Sequence, residues 1–305
     1  MVNEGRTQPF PFIVSCGRSG TTMLRAMLER GGEIAIPPES YFPVSLHRRH
    51  WRSVFDPSAF GEDLGANVRF REWGMPVPDL TGAADYADAV RSVFSAYAER
   101  HGARRYGDKT PAFVLHVELL AGLFPEARFV HLIRDGRDVA RSLVQAPFGP
   151  DGLARAADVW ARRVSRGRDS GARLGPERYL EVRYESLVGD PVATLRSVCA
   201  FLLLGYRDEM LHPEEGDTLV PEMERRHHGN LARPVTPGLR DWRRDMPDAD
   251  VALVEAVGGR LLSELGYERR FPTVPIVARG RAVASRARSA VVRSGRRTAR
   301  KVLRR

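Results

Sequence analysis

Residues 13–28, IVSCGRSGTTMLRAML, constrain the fold more than any other stretch of this chain. An apolar run turns through two glycines and continues with Met23 and Met27, and Leu24 and Leu28, at helical spacing. A strand, a glycine loop and a helix in that order belong to an α/β fold. They also place several backbone N–H groups at the positive end of a helix, where an anion is stabilised. Ser19, Gly20, Thr21 and Thr22 supply those amides together with three hydroxyls. The triphosphate-binding form of such a loop requires a lysine directly after its last glycine and a magnesium-binding hydroxyl next to it. Here Thr21 takes the lysine position and an arginine, Arg18, stands ahead of Gly20. A magnesium-dependent phosphoryl transferase is therefore the weaker of two anion-binding readings, and a ligand-free Gly-Ser turn is the alternative to both.

Strand and helix patterns alternate along the rest of the chain. EIAI reads as a second short strand and DYADAVRSVFSAYAER as an amphipathic helix, while RRYGDKTP reads as a turn ended by proline. ARFVHLIRD has the nearly continuous apolar character of a strand buried on both faces, and GRDVARSLV follows it as a helix. A helix around Trp160, a strand RYLEVRY and a helix PVATLRSVCAFLLL complete the series. This alternation predicts an α/β domain of three layers, a mainly parallel sheet flanked by helices, over residues 1–270. Residues 206–246 are polar and proline-bearing and predict an extended loop over the site.

The formal charge is +10, but the excess is local. Residues 271–305 hold ten arginines, one lysine and no acid, so residues 1–270 carry 10 − 11 = −1. A basic body suited to nucleic acid is thereby excluded, and specific nucleic-acid binding is not predicted. The tail places Ile276, Val283, Ala287, Val291 and Val302 on a weak helical stripe among arginines. It predicts disorder or an amphipathic helix, the latter able to lie on an anionic membrane surface. Two cysteines, Cys16 and Cys199, make no disulfide framework, and no apolar run approaches the ~20 residues that span a bilayer. These features predict a cytoplasmic protein, peripheral at the inner membrane surface if the tail binds lipid.

The loop GRSGTT resembles the 5′-phosphosulfate loop of the sulfotransferases that use 3′-phosphoadenosine 5′-phosphosulfate (PAPS). Its arginine version is similar to that of tyrosylprotein sulfotransferases and related bacterial enzymes. Three further segments fall in that family's order: RFVHLIRDGRDVARSLV, VRYESLVGDPVATLRSVCAFL and, more loosely, RPVTPGLRDW. The resemblance covers about residues 10–270 and implies a P-loop-like fold with PAPS as sulfuryl donor and no metal. It implies that Arg18, Ser19, Gly20, Thr21 and Thr22 hold the 5′-phosphosulfate. Arg134 and Ser142, eight positions apart, would grip the 3′-phosphate; Tyr184 would lie near the nucleotide, and Arg240 or Arg233 would close over it.

Sulfuryl transfer needs a base for the acceptor's proton and positive charge at the leaving oxygen. Cytosolic sulfotransferases keep a histidine in a K-T-H segment, where this chain has GDKTP and therefore Pro111. The resemblance moves the base to Glu39, 21 positions beyond Arg18, the alternative being a carboxylate that serves a helix N-terminus. Only two of the 48 basic residues are lysines, and Lys109 is the one outside the tail. A compact ammonium fits beside a bridging oxygen where a guanidinium is too broad; the resemblance gives Lys109 that role, stabilising the leaving phosphate with Arg18, the alternative being a surface pair with Asp108. His47, His50, His227 and His228 lack companions at metal-ligand spacing and read as loop residues. The acceptor, a hydroxyl of a saccharide, lipid, peptide or specialised metabolite, is not encoded in cofactor motifs. An atypical Mg-ATP-dependent kinase and an inactive anion-binding protein acting through its tail are the competing readings.

Overall fold

The computed structural model describes residues 8–51, 54–147, 149–215 and 241–285. The chain divides into two compact units. One comprises Met1–Ile133 with Arg166–Pro237, the other Arg134–Ser165 with Gly238–Arg305.

The first unit is built on a four-stranded, all-parallel sheet of order β4-β1-β5-β6. Its strands are β1 (Phe10–Ser15), β4 (Asp108–Lys109), β5 (Ala127–Ile133) and β6 (Tyr179–Arg183), while β2 (Ile34–Ala35) and β3 (Arg105–Tyr106) pair separately. Because side chains alternate across a strand, β1 serves two cores at once. Phe10, Phe12 and Val14 enter a cluster with Phe94, Phe113, Phe124 and Phe129, whereas Ile13 joins Leu24, Leu28, Val130, Leu132 and Val198 on the other face. The Phe12 and Phe129 rings stack at 5.3 Å across the β1–β5 register. Each such side chain contributes roughly 1.5–3 kcal/mol by leaving water. The first face is covered by the helices Tyr86–Arg100 and Val117–Leu123, and the second by α1 (Thr21–Arg30) and the helix Pro191–Leu202. Three layers around a parallel sheet are as the sequence pattern predicts.

One local expectation differs. RRYGDKTP is not a plain turn but supplies β3 and β4, each two residues long; their hydrogen bonds come from β2 and β1, partners that no local pattern reveals. The loop expected over residues 206–246 falls mostly on residues 216–240, outside the described residues; what is described at its start is the segment 206–215. It forms two 3-10 turns, Asp208–Leu211 and Pro213–Glu215, with Met210 buried at the end of α1, where a Cβ on Gly31 would come within 2.1 Å of Met210 Cε.

The second unit contains the helices Gly136–Val144 and Asp248–Glu264. Buried Arg137 links them, donating to Asp135 Oδ1 and Oδ2 and to Glu255 Oε1, with its guanidinium 3.6 Å from the Trp242 ring centroid. Trp160 is fully buried and its indole N–H donates to the Arg134 carbonyl. Residues 276–285 are helical. Val274 and Ala278 pack against Ala252, and Ala282 against Leu253, while Ile276, Val277 and Val283 face outward. Among the described residues no helix is long and apolar enough to cross a membrane.

Candidate active site

The carboxyl edge of a parallel sheet is where α/β folds place their ligands. β1 ends at Ser15, and the loop that follows folds through a run of left-handed conformations, with φ of 89° at Gly17, 59° at Arg18 and 90° at Gly20. A non-glycine residue in that region costs roughly 1–3 kcal/mol, so the strain at Arg18 is held by its surroundings. The Gly17 amide donates to Ser15 Oγ and the Ser19 hydroxyl to the Gly17 carbonyl. Ser19, Thr21 and Thr22 are buried, and α1 starts at Thr21 with no side-chain cap and no acid in its first turn. Such a helix start favours an anion.

Gly20 is required twice over. Its φ is one that side chains rarely adopt, and a Cβ there would lie 2.6 Å from Cδ2 of Tyr184. Tyr184, the first residue of the helix Tyr184–Gly189 rather than the last of β6, thus stands against the loop.

Lys109 ends β4, paired in register with Ile13 of the loop-bearing strand. It is not the surface lysine of the alternative reading: it is 1% exposed and ion-paired with Glu39. Lys109 Nζ stands 3.2 Å from Glu39 Oε1, and the Tyr41 hydroxyl donates to Glu39 Oε2 at 2.8 Å. Glu39 precedes the short helix Phe42–Ser45, whose N-cap is Tyr41; both of its carboxylate oxygens have side-chain partners. The carboxylate is a quarter exposed, so it can meet solvent or a substrate while one side is held.

Sequence reasoning missed the residues behind this pair. Ser40 Oγ donates to Asp108 Oδ2, the Ser40 amide donates to Thr110 Oγ1, and the Thr110 hydroxyl also donates to Asp108 Oδ2. All three are fully buried. Burial pushes the Asp108 carboxyl up to about 7, against the lowering effect of Ser40, Thr110 and Lys109. The only signal was adjacency to the two residues already singled out, Glu39 and Lys109.

In the second unit Arg134 follows β5 directly in sequence, and Ser142 lies in the helix Gly136–Val144. Both are buried, and an Arg134 guanidinium nitrogen is 3.6 Å from Asp138 Oδ2. Asp135 caps that helix through the Arg137 amide and gives both carboxylate oxygens to the Arg137 side chain. It is thus a structural acid in this chain. Arg233, Arg240, His227 and His228 lie outside the described residues. His47 and His50 are not loop residues: they begin and end one short helix, and His50 is buried with Nε2 2.6 Å from Asp63.

The sequence profile of the sulfotransferase family matches residues 9–208, which include the glycine loop, Glu39, Lys109, Arg134, Ser142 and Tyr184. The chain belongs to the sulfotransferase family. It is 28% identical over 276 residues to protein-tyrosine sulfotransferase A of Caenorhabditis elegans, covering 86% of this chain and 68% of that one. It is 26% identical over 276 residues to protein-tyrosine sulfotransferase of Drosophila melanogaster, where the match again covers 86% of this chain but spans only about half of the fly protein, 52%. Among solved structures it is similar to the sulfotransferase domain of the Synechococcus PCC 7002 olefin synthase, at 26% identity and a TM-score of 0.61, covering 87% of this chain and 97% of that domain.

Proposed function

We propose that this sulfotransferase-family protein transfers the sulfuryl group of PAPS to an acceptor hydroxyl. In this reading the loop amides and hydroxyls from Arg18 to Thr22 hold the 5′-phosphosulfate, with Tyr184 against the loop. Arg134 and Ser142 take the 3′-phosphate. The acceptor oxygen attacks sulfur in line; an O–S bond forms as the bond between sulfur and the phosphate oxygen breaks, and adenosine 3′,5′-bisphosphate leaves. Glu39 accepts the acceptor's proton, and Lys109 with Arg18 offsets the negative charge growing on the departing phosphate oxygen. The acceptor is a hydroxyl of a saccharide, lipid, peptide or specialised metabolite.

The observation that carries the reading is the Glu39–Lys109 pair. A buried ammonium and a partly exposed carboxylate 3.2 Å apart offer a proton acceptor and an electrophilic charge at one place. The lysine sits on the strand beside the one that leads into the glycine loop. A kinase reading has less support: Thr21 replaces the phosphate-binding lysine, and Asp135 is engaged by Arg137. Calorimetric titration with adenosine 3′,5′-bisphosphate, beside ATP with Mg²⁺, tests it. Tight binding of the bisphosphate without metal supports the proposal; binding of Mg-ATP alone would overturn it in favour of the kinase. Incubation with PAPS and a panel of hydroxyl compounds then separates an enzyme from an anion-binding protein.

The tail's partner in this proposal is an anionic membrane surface. Ile276, Val277 and Val283 are 85%, 74% and 64% exposed, Arg279 and Arg281 are exposed beside them, and no acid occurs from residue 271 to the end. Apolar side chains among cations match a lipid surface of opposite charge.

A further inference from the structure

Two neighbouring residues of the segment 36–41 meet neighbouring residues of β4 and its continuation. Glu39 meets Lys109, and Ser40 meets Asp108 and Thr110. The first pair is the candidate chemistry. The second is fully buried and joins the same two segments.

The three hydrogen bonds close a triangle. Thr110 Oγ1 receives the Ser40 amide and gives its own proton to Asp108 Oδ2, which also receives the Ser40 hydroxyl. Ser40 is thus fixed through backbone and side chain at once. Asp108 is itself held in the sheet, paired in register with Phe12 of β1. Directly after Ser40, Tyr41 has a φ of 52°, a conformation that must be held from outside. The backbone that follows Glu39 is therefore anchored to β4 at Ser40 and strained at Tyr41. Such anchoring fixes the backbone beneath a carboxylate whose oxygens are held by Lys109 and Tyr41, and it takes neither of them.

We propose that Asp108, through Ser40 and Thr110, is the positioning residue of this site: it fixes the backbone that bears Glu39 and thereby sets the approach of Glu39 to Lys109. Its acceptor oxygen is the functional feature, since both hydroxyls donate to Oδ2. Asparagine retains such an oxygen and alanine does not. The inference rests on the reading of Glu39 as base for its catalytic consequence, but not for its structural one.

The test uses the full chain with Ser40→Ala, Asp108→Ala and Asp108→Asn, each made also in a Glu39→Ala background. Crystal structures are the first readout. Glu39 is expected to leave Lys109 in the two alanine variants and to stay in Asp108→Asn; a carboxylate still within hydrogen-bond distance of Lys109 in Ser40→Ala overturns the proposal, and this small truncation serves if Asp108→Ala does not fold. The second readout is turnover with PAPS and the best acceptor of the hydroxyl panel. A displaced base lowers kcat roughly tenfold to a hundredfold, while the affinity for adenosine 3′,5′-bisphosphate stays as in the parent. Asp108→Asn restores most of that loss, and Ser40→Ala adds nothing once Glu39 is alanine. An equal further loss in the Glu39→Ala background means a merely structural role and sinks the proposal. Near-parental turnover of Glu39→Ala itself removes the base reading instead, and the crystal structures then decide the positioning alone.

Discussion

Lys109 Nζ lies 3.2 Å from Glu39 Oε1, joining two residues 70 positions apart in the chain. One is the only lysine outside the tail; the other lies on a short connection between β2 and the helix Phe42–Ser45. A guanidinium in place of that ammonium would have to fit a planar fork into a position that is 1% exposed. Lys109→Arg is therefore expected to lower kcat on the order of 10²-fold or more, as removal of an electrostatic stabiliser does. Glu39→Gln should lose about 10²–10⁴ as a missing general base. Both should bind adenosine 3′,5′-bisphosphate, and near-normal turnover of either variant removes that residue from its role.

Gly20→Ala tests the contact between the loop and Tyr184. The added Cβ would meet Tyr184 Cδ2 at 2.6 Å, in a backbone with φ of 90°. The expected cost is about 1–3 kcal/mol of stability together with weaker bisphosphate binding. Tyr184→Ala relieves the clash but not the backbone strain. The double variant should accordingly recover part of the loss in a denaturant titration; full additivity would mean that the ring does not constrain the loop.

Arg134→Ala and Ser142→Ala test the 3′-phosphate assignment by comparison of two ligands. A charge-assisted hydrogen bond to phosphate contributes about 1.5–3 kcal/mol. Each variant should therefore weaken adenosine 3′,5′-bisphosphate roughly tenfold to a hundredfold, with adenosine 5′-monophosphate binding little changed. Equal weakening of the two nucleotides would remove these residues from the 3′-phosphate.

The buried carboxyl of Asp108 gives a pH dependence of defined sign. Its pKa rises from the ordinary 3.8 to about 7 in the fold, so between those values the folded chain binds more protons than the unfolded one. This group's contribution is fully present below about pH 4 and is lost as pH rises toward 7, a difference on the order of 4 kcal/mol at most. Asp108→Asn has no such titration. Relative to the parent, its Tm should rise between pH 4 and pH 8; a constant difference across that range would contradict the assignment.

The outward stripe on residues 276–285 is testable with vesicles containing phosphatidylserine. Replacing Ile276 and Val283 by serine removes two apolar side chains worth roughly 1.5–3 kcal/mol each when fully buried. Partition onto anionic vesicles should fall at least about tenfold, with no effect on the core side of that helix, where Ala278 and Ala282 are buried. Unchanged partition would leave the stripe without a lipid role.

Much of this was legible in the residues, for reasons that are local. β1, its glycine loop and α1 follow from an apolar run, glycines that accept positive φ and a helical spacing of Leu24 and Leu28. β5 and the helix Gly136–Val144 follow from the same rules, and the scarcity of lysine marked Lys109 before any contact was known. What the chain could not announce is non-local. β4 is two residues long and exists because β1 pairs with it, so no periodicity could predict it. The buried state of Lys109 and its pairing with Glu39 depend on which faces of β4 and of residues 36–41 come together. Asp108, Ser40 and Thr110 form their triangle for the same reason, since hydrogen bonds across about 70 residues are made only once the sheet has set both backbones in place. Local patterning determined β1, β5, β6, the loop and the family; the tertiary pairing of two short segments decided which side chains face one another.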